Sequence, residues 1–322
     1  MRVCHALSEF VPPAGGAVVT IGNFDGMHRG HAALLGAARR HAEQAGAGLV
    51  VLTFEPHPLA VLAPERAPAR LTTPAEKLML LERAGVAATV VLASEPALFA
   101  LEAEDFLASL VTHTRPRAIV EGPDFRFGRG RRGSLETLRQ HAAAWGYEVL
   151  TVPALRATDL PTDPTIGSTS IRQALRDGRL DEANRMLGRP YRVTGVVGVG
   201  HGRGATIGYP TANLERSPHL LPHDAVYAAA AQLADGLLHL AAVNVGPQPT
   251  FGQGAARVEA FLLDFAGDLR GQRLGLHFLA RLRPQRRFAD VAALVAQIDA
   301  DVAAVRSYAP RLAELQGGLL PM

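Results

Sequence analysis

The chain has 322 residues, 48% of them hydrophobic, which is enough for about two domains of roughly 100–200 residues each and argues against a disordered chain. The formal net charge is +3 with a pI near 9.4, which is weak support for a nucleic-acid partner. The single cysteine, Cys4, excludes an internal disulfide and a cysteine-based zinc site. No apolar run has the length of a signal peptide or a membrane span, so we expect a soluble cytoplasmic protein with neither nucleic-acid nor membrane partners.

The first half alternates apolar strand patterns with amphipathic helix patterns. Thr73 and Glu76 form a capping-box pattern at the start of one helix. Apolar strands between helices predict a parallel sheet covered on both faces, so residues 1–186 are predicted to form a doubly wound α/β domain. Strands are predicted over 17–21, 48–54, 88–93, 117–122 and 147–152, and helices over 30–46, 73–85, 103–111 and 134–146.

The pattern changes after two short helices that end at Gly188. A hairpin is predicted to turn at Asp235-Gly236, and one long helix from about Asp290 to Leu315. This order predicts a small antiparallel β-barrel with a packed long helix, as a C-terminal domain of residues 187–322. The β patterns cover 191–200, 227–246, 257–265 and 273–283.

The segment "GNFDGMHRGH" (22–31) follows a buried strand and leads into a helix. Ligands of α/β sheets bind at the carboxyl ends of strands, and a helix N-terminus favours phosphate. His28 and His31 lie one turn apart and can face the same ligand. The segment is neither a Walker loop nor a dinucleotide fingerprint. The predicted nucleotide-binding residues of this loop are Gly22, Asn23, Phe24, Asp25 and Gly26.

A HxGH motif at this place resembles the nucleotidyltransferases of the HIGH superfamily. The resemblance implies attack on the α-phosphate of a nucleoside triphosphate with release of pyrophosphate, and it assigns catalysis to His28 and His31. A phosphate nucleophile needs no general base, so catalysis rests on positioning and on neutralising charge at the α-phosphoryl oxygens.

Three further segments accompany this motif: "TFEPHP" (53–58), "EGPDFRFGRGRRG" (121–133) and "GSTSIRQAL" (167–175). Together they resemble the adenylyltransferase module of bacterial bifunctional riboflavin kinase/FAD synthetases. The resemblance implies that Arg172 is catalytic and that the other residues contact the triphosphate, nucleotide or flavin. Gly167 departs from the family, which usually has serine there. The binding residues implied are His57, Asp124, Phe125, Phe127, Ser168 and Thr169.

The segment "GRGATIGYPTANL" (202–214) resembles the Mg-ATP site of riboflavin kinase. Thr211 and Asn213 are the predicted Mg²⁺ ligands, since Mg²⁺ prefers oxygen. Glu259 stands where that family has its catalytic carboxylate, and a primary hydroxyl nucleophile benefits from a positioned base. The remaining residues assigned to nucleotide binding are Gly202, Gly204, Gly208 and Pro210.

Two positions depart from the family pattern in the C-terminal half. Ala225 replaces a glycine, and we expect it to strain a turn that needs positive φ. Arg270 replaces a tyrosine, and we expect it to change packing near a flavin-side loop.

The resemblance covers roughly residues 15 to 310. It implies that the barrel phosphorylates riboflavin with Mg-ATP to give FMN, and that the N-terminal domain adenylylates FMN with ATP to give FAD. Three alternatives stay open at this point: a riboflavin kinase with a decayed first domain, an adenylyltransferase for another phosphorylated acceptor, and a non-catalytic flavin- or RNA-binding regulator. A homo-oligomer also stays open.

Overall fold

The computed structural model describes residues 1–160, 163–199, 203–215, 217–246 and 257–316. The chain divides into two compact units. The first unit comprises Met1–Pro68 and Thr72–Ile166, and the second comprises Ala69–Leu71 and Gly167–Met322. Across the described residues, we find no helix with both the length and the apolar character needed to cross a membrane.

The first unit contains eight strands and six α-helices among its described residues. The strands are β1 (Arg2–Cys4), β2 (Ala17–Ile21), β3 (Gly48–Glu55), β4 (Ala88–Ala93), β5 (Pro116–Glu121), β6 (Arg126–Phe127), β7 (Gly133–Ser134) and β8 (Glu148–Thr151). The helices are α1 (Arg29–Gln44), α2 (Pro58–Leu62), α3 (Pro74–Arg83), α4 (Pro96–Ala100), α5 (Ala103–Thr114) and α6 (Leu135–Trp145).

Six of these strands form one parallel sheet in the order β1-β4-β3-β2-β5-β8. Neighbouring residues of β2 enter different cores, because side chains alternate across a sheet. Val18 packs in a cluster with Leu35 of α1 and Leu81 of α3. Val19 packs in another cluster with Leu107 of α5. Helices therefore cover both faces, and the predicted doubly wound α/β fold is confirmed.

The strand order reverses direction at β2. The chain leaves β2 toward β3 on one side, and β5 pairs with β2 on the other side. Ligands of doubly wound sheets bind in the crevice that such a reversal opens at the carboxyl ends of the strands. The loops that follow β2, β3 and β5 share this edge.

The second unit contains a closed barrel with the order β10-β13-β12-β11-β14-β9, in which β9 and β10 also pair. Its strands are β9 (Tyr191–Gly198), β10 (Ala212–Leu214), β11 (Ala225–Gln232), β12 (Leu238–Gly246), β13 (Arg257–Leu262) and β14 (Arg273–Arg283). Its helices are α7 (Ser168–Arg176), α8 (Leu180–Leu187), α9 (Arg203–Thr206), α10 (Val291–Arg306) and α11 (Ala309–Gln316). The predicted antiparallel barrel with helical packing is confirmed.

Two expectations about the second unit are wrong. The helix predicted from about Asp290 to Leu315 is two helices, α10 and α11, because Pro310 has no N–H for the carbonyl of Arg306 and its ring clashes there. Ala225 strains no turn: it is a buried strand residue paired with Val245, and it is absent from the positive-φ residues of the described chain.

Arg270 is exposed and forms a two-pronged ion pair with Asp268, whose pKa its guanidinium lowers to about 2. Helices α7 and α8 lie in the second compact unit, although the sequence prediction placed them in the first domain. The predicted domain boundary between residues 186 and 187 stays a prediction.

A buried ion pair joins α10 to the barrel. The Arg283 guanidinium, at the end of β14, donates from Nε to Asp301 Oδ1 at 2.9 Å and from Nη2 to Oδ2 at 2.6 Å. Gln297 also donates to Asp301 Oδ1, at 2.8 Å. The Asp301 side chain is 7% exposed and that of Arg283 18%, so removing one partner would leave the other charge buried.

We therefore expect Asp301→Ala to destabilise the packing of α10 by about 3–5 kcal/mol. Hydrogen exchange of peptides from β14 and α10, followed by mass spectrometry, measures this as lost protection. Asp268→Ala is the matched control, because it breaks the exposed pair with Arg270 and should leave exchange unchanged. Equal exchange in the two variants would contradict the assignment.

Candidate active sites

The loop between β2 and α1 has an unusual backbone. Phe24 and Met27 have φ of 47° and 40°, and Gly26 has φ of 86°. Residues other than glycine adopt positive φ only when their surroundings hold them, at a cost of about 1–3 kcal/mol each. The Phe24 side chain is 1% exposed, so core packing is one of those restraints.

Hydrogen bonds from Thr72 provide the second restraint on this loop. The Asp25 carboxylate accepts from the Thr72 backbone N–H and from its hydroxyl, both at 3.0 Å. The Gly26 N–H donates to the same hydroxyl at 3.1 Å. The Asp25 side chain therefore holds the loop in place, a structural role beside the nucleotide contact predicted for it.

His28 caps α1 with its own ring. Its Nδ1 accepts the backbone N–H of His31 at 3.2 Å, so in the neutral ring the proton is on Nε2. The two imidazoles stack with centroids 3.6 Å apart and planes 18° apart. A Cβ on Gly30 would lie 3.1 Å from His28 Nδ1 and 3.2 Å from the Ile166 carbonyl oxygen. The HxGH spacing thus joins two imidazoles to a helix N-terminus, and a side chain at Gly30 would crowd the His28 ring.

Asn23 and His57 meet across the ends of β2 and β3. The Asn23 side-chain amide lies 3.2 Å from His57 Nε2, and His57 Nδ1 accepts the Leu59 N–H at 3.1 Å as the cap of α2. A neutral imidazole has one accepting nitrogen, so Nε2–H is the donor here. Asn23 Nδ2 faces Nε2 in the structure, and because two donors cannot bond each other, we assign the amide with its oxygen toward His57. This orientation also gives a partner to Asn23 Oδ1, which otherwise is buried without one among the described residues.

The residues predicted from "EGPDFRFGRGRRG" (121–133), which forms the β6–β7 hairpin, have different surroundings. Phe127 is buried in the core of the first unit, where its ring lies 5.9 Å from that of Phe106. Phe125 is half-buried and stacks on Phe127 at 5.4 Å. Asp124 is exposed. Phe127 thus belongs to the core, whereas Asp124 and Phe125 stay accessible to a ligand.

Two buried charged residues at the same sheet edge were missed from the sequence. Glu121, at the end of β5, accepts the Ile21 N–H at 2.6 Å, just beyond the last register pair of β2 and β5. Burial raises the pKa of the Glu121 carboxyl well above its usual range, against hydrogen bonds that lower it. Lys77, on α3, is 7% exposed. The signals were a carboxylate that ends an apolar strand and a lone lysine on an apolar helix face.

The residues predicted on "GSTSIRQAL" lie at the start of α7, in the second unit. Gly167 is its N-cap with extended backbone, and a Cβ there would meet nothing within 4 Å. Thr169 is exposed and Ser168 is half-buried. Arg172 is 6% exposed and donates from Nε to the Ala69 carbonyl at 2.7 Å.

In the second unit, the glycine-rich segment makes a tight turn before β10. A Cβ on Gly204 would lie 2.2 Å from the Tyr209 carbonyl oxygen, so only glycine fits there. Gly208 has φ of 88°. Pro210 and Thr211 are exposed after the turn, and Gly202 lies outside the described residues. The Tyr209 hydroxyl donates to Asp299 of α10, and its ring packs edge-on to Phe261.

The barrel register aligns three polar side chains on adjacent strands. Asn213 of β10 pairs with Glu259 of β13, which in turn pairs with Asn244 of β12. Such cross-strand neighbours have Cβ atoms about 4.5–5.5 Å apart. Glu259 shares its strand face with Phe261, which packs with Val302 of α10. The carboxylate therefore lies on the outer barrel face that α10 partly covers.

Asn244, which the sequence analysis did not single out, has a fixed amide. Gln285 Nε2 donates to Asn244 Oδ1 at 2.8 Å and to the Val245 carbonyl at 3.1 Å. The Asn244 nitrogen is thus free to face the neighbouring strand. The strand pairing of the barrel, and not the sequence, shows that Asn244 lies beside Glu259.

Two family models match the chain. Residues 12–165 match the model described as FAD synthetase, and residues 187–309 match the model described as riboflavin kinase. Together the two matches cover most of the chain, with the FAD synthetase region first and the riboflavin kinase region second, as the sequence predicted.

Curated relatives and a solved structure extend over nearly the whole length. The bifunctional riboflavin kinase/FMN adenylyltransferase of Escherichia coli (strain K12) is 37% identical, covering 96% of this chain and 97% of the relative. That of Pseudomonas fluorescens is 38% identical, covering 96% and 98%. A crystal structure described as a macrolide-efflux protein from Streptococcus pneumoniae is 32% identical, with a TM-score of 0.83, and covers 94% of this chain and 98% of its own. By these likenesses, the chain belongs to the bifunctional riboflavin kinase/FMN adenylyltransferase family.

Proposed function

We propose that this chain makes both flavin cofactors, phosphorylating riboflavin to FMN and then transferring an adenylyl group from ATP to FMN to give FAD and pyrophosphate. The observation that carries the proposal is that one chain holds both family matches, in order, with relatives of that name along nearly its full length. The HxGH helix start supports the second reaction, and the barrel carboxylate supports the first.

For adenylyl transfer, we propose that His28 and His31 act on the α-phosphate of ATP. A phosphate oxygen of FMN attacks the α-phosphorus, and the bond to the β-phosphate oxygen breaks to release pyrophosphate. The His28 ring donates from Nε2–H, because its Nδ1 is occupied by the helix cap. Donors that are already oriented stabilise the developing negative charge without reorganising. No proton has to leave the nucleophile, so a base is unnecessary.

For riboflavin phosphorylation, we propose Glu259 as the general base. The ribityl 5′-hydroxyl attacks the γ-phosphorus of ATP, its proton passes to the Glu259 carboxylate, and ADP leaves. An uncharged hydroxyl is a weak nucleophile, so a positioned base has a clear task. Asn213 and Asn244 flank this carboxylate in the strand register and can orient it.

The residues near Glu259 suit Mg²⁺, which would neutralise charge on the ATP phosphates. We propose Thr211 and Asn213 as its protein ligands. Asn213 Nδ2 donates to the Thr211 carbonyl at 3.3 Å, which leaves the amide oxygen for a ligand. Within the described part of the chain no group of three or more His, Cys, Asp or Glu side chains could hold a metal. This donor set fits Mg²⁺, which takes few protein oxygens and retains water and phosphate ligands.

Other nucleotide and flavin contacts are proposals of the same kind. In the first unit, we propose Asn23, His57, Asp124 and Phe125 as contacts of the nucleotide or flavin. Ser168, Thr169 and Arg172 are proposed for the triphosphate, and Gly204, Gly208 and Pro210 for ATP of the kinase reaction. Cytoplasmic location, lack of a nucleic-acid partner and oligomeric state stay predictions.

The His28→Ala/His31→Ala double variant is expected to lose FAD formation, by about 10²–10³-fold or more, because oriented donors to the α-phosphate are gone. The measurement is chromatography of FMN and FAD after incubation with supplied FMN and ATP. FMN formation from riboflavin should continue and serves as the internal control. FAD formation at the parental rate would refute the assignment.

Glu259→Gln should lower FMN formation by about 10²–10⁴-fold, the usual range for removing a general base. It keeps side-chain shape, so supplied FMN should still be converted to FAD. Both rates are read in one chromatographic time course. Loss of both activities would argue against separate sites.

Gly167→Ser is expected to preserve or improve adenylyl transfer, because serine fits the extended backbone and caps α7, with a stability gain of a few tenths of a kcal/mol. The Michaelis constant for ATP measures the effect. Gly30→Ala is the contrasting variant, since its Cβ would press on His28, and it should lower the rate. A loss of activity in Gly167→Ser as large as in Gly30→Ala would contradict this account.

A further inference from the structure

The chain contains 33 lysine and arginine residues, and only one of them, Lys77, is lysine. Its side chain is 8% exposed, at the carboxyl end of β3. Burying an ammonium group carries a large desolvation cost unless its donors are satisfied. The only lysine is thus placed where a charge is expensive, at the ligand edge of the sheet.

Three consecutive residues of β3 surround the Lys77 ammonium with two hydrogen-bond acceptors and one carboxylate. Nζ donates to Thr53 Oγ1 and to the Phe54 carbonyl, each at 3.2 Å, and lies 3.6 Å from Glu55 Oε2. The ammonium thus donates hydrogen bonds to the Thr53 hydroxyl and the Phe54 carbonyl, and its charge faces the Glu55 carboxylate as an ion pair. The planar fork of arginine does not present its donors in this way, which accounts for lysine here.

The Thr53 hydroxyl connects Lys77 to the loop between β2 and α1. A hydroxyl has one proton, and because Lys77 donates to its oxygen, that proton is directed elsewhere. The Thr53 hydroxyl lies 3.4 Å from the Asn23 carbonyl oxygen, to which it donates. The side chain of Asn23 in turn contacts His57 Nε2 at 3.2 Å. Lys77, Thr53, Asn23 and His57 form one chain of contacts, the Lys77 network.

We propose that Lys77 is a positioning residue for adenylyl transfer, which acts through the Thr53 hydroxyl to hold Asn23 and His57 for the nucleotide. The proposal rests on the function proposed for the first unit and adds a residue that the family motifs quoted above do not include. Lys77 touches no reacting atom in this scheme. Lys77 orients the Thr53 hydroxyl, and this hydroxyl holds the backbone carbonyl of Asn23. The Asn23 side chain is thereby held against the His57 ring.

Four variants of the full-length protein test the proposal. Thr53→Val removes the connecting hydroxyl and keeps the side-chain shape, while Lys77→Met removes the donors and keeps the length. The double variant Lys77→Met/Thr53→Val tests whether the two residues act in series. Thr89→Val is the matched control, because Thr89 is equally buried on the neighbouring strand β4 and its hydroxyl contacts Met1 Sδ instead.

The kinetic readout is FAD formation from supplied FMN and ATP, and the thermal unfolding of each variant, compared with that of Thr89→Val, is the check on folding of the first unit. We expect Thr53→Val to raise the Michaelis constant about tenfold, the equivalent of one hydrogen bond, with kcat nearly unchanged. The double variant should match Lys77→Met alone, because groups in series are not additive. NMR of the His57 ring, identified by comparison with His57→Gln, should show a shift in both single variants and none in Thr89→Val.

Three results overturn the proposal in different ways. If the parental protein makes FAD and Thr53→Val or Lys77→Met behaves as Thr89→Val does, the positioning role is wrong and the proposed function survives. If the parental protein makes no FAD from supplied FMN, the proposed function of the first unit is wrong and the positioning role falls with it. Additive losses in the double variant would also refute action through Thr53.

Discussion

The parallel pairing of β2 with both β3 and β5 is the constraint on which the first unit depends. It places the ends of all three strands at one edge, so the segments that follow them converge there. Backbone pairing between β2 and β5 ends at Val19 and Ile119, so the last residues of the two strands are not paired with each other. The strained loop, the two histidines and the nearby asparagine all derive their positions from this edge.

Titratable side chains buried at this edge replace strand pairing where it stops. Glu121 accepts the Ile21 N–H that β5 no longer satisfies, and Lys77 joins the end of β3 to α3. An unpaired polar group in such a place would cost more than its hydrogen bond returns, so each of these residues has close partners. Glu121 and Lys77 thus pair with groups at this edge that the strands leave without a partner.

Closure of the barrel has the corresponding effect in the second unit. Strands far apart in sequence become neighbours, and the register puts Asn213, Glu259 and Asn244 in one row. The Arg283–Asp301 pair then holds α10 against the same outer face. A carboxylate on a strand does not define a site by itself. Around Glu259 the strand register and the position of α10 are both restrained, and that is the basis for proposing a site there.

Local patterns were sufficient for much of this architecture. Alternation of apolar strands with helices is a local property, and so the sequence alone determined the parallel sheet and the barrel. The Thr73–Glu76 capping box, the Asp235-Gly236 turn and the HxGH helix start are local patterns too, and the sequence alone determined where they stand. Tertiary structure decided which side chains of those motifs are free to act. Phe127 packs in the core and Asp25 accepts hydrogen bonds from Thr72. These contacts join segments that are distant in sequence, so no local pattern predicts them. The same reason explains why Lys77, Glu121 and Asn244 emerged only from the fold: each owes its place to a partner on another strand or helix, brought near by long-range pairing.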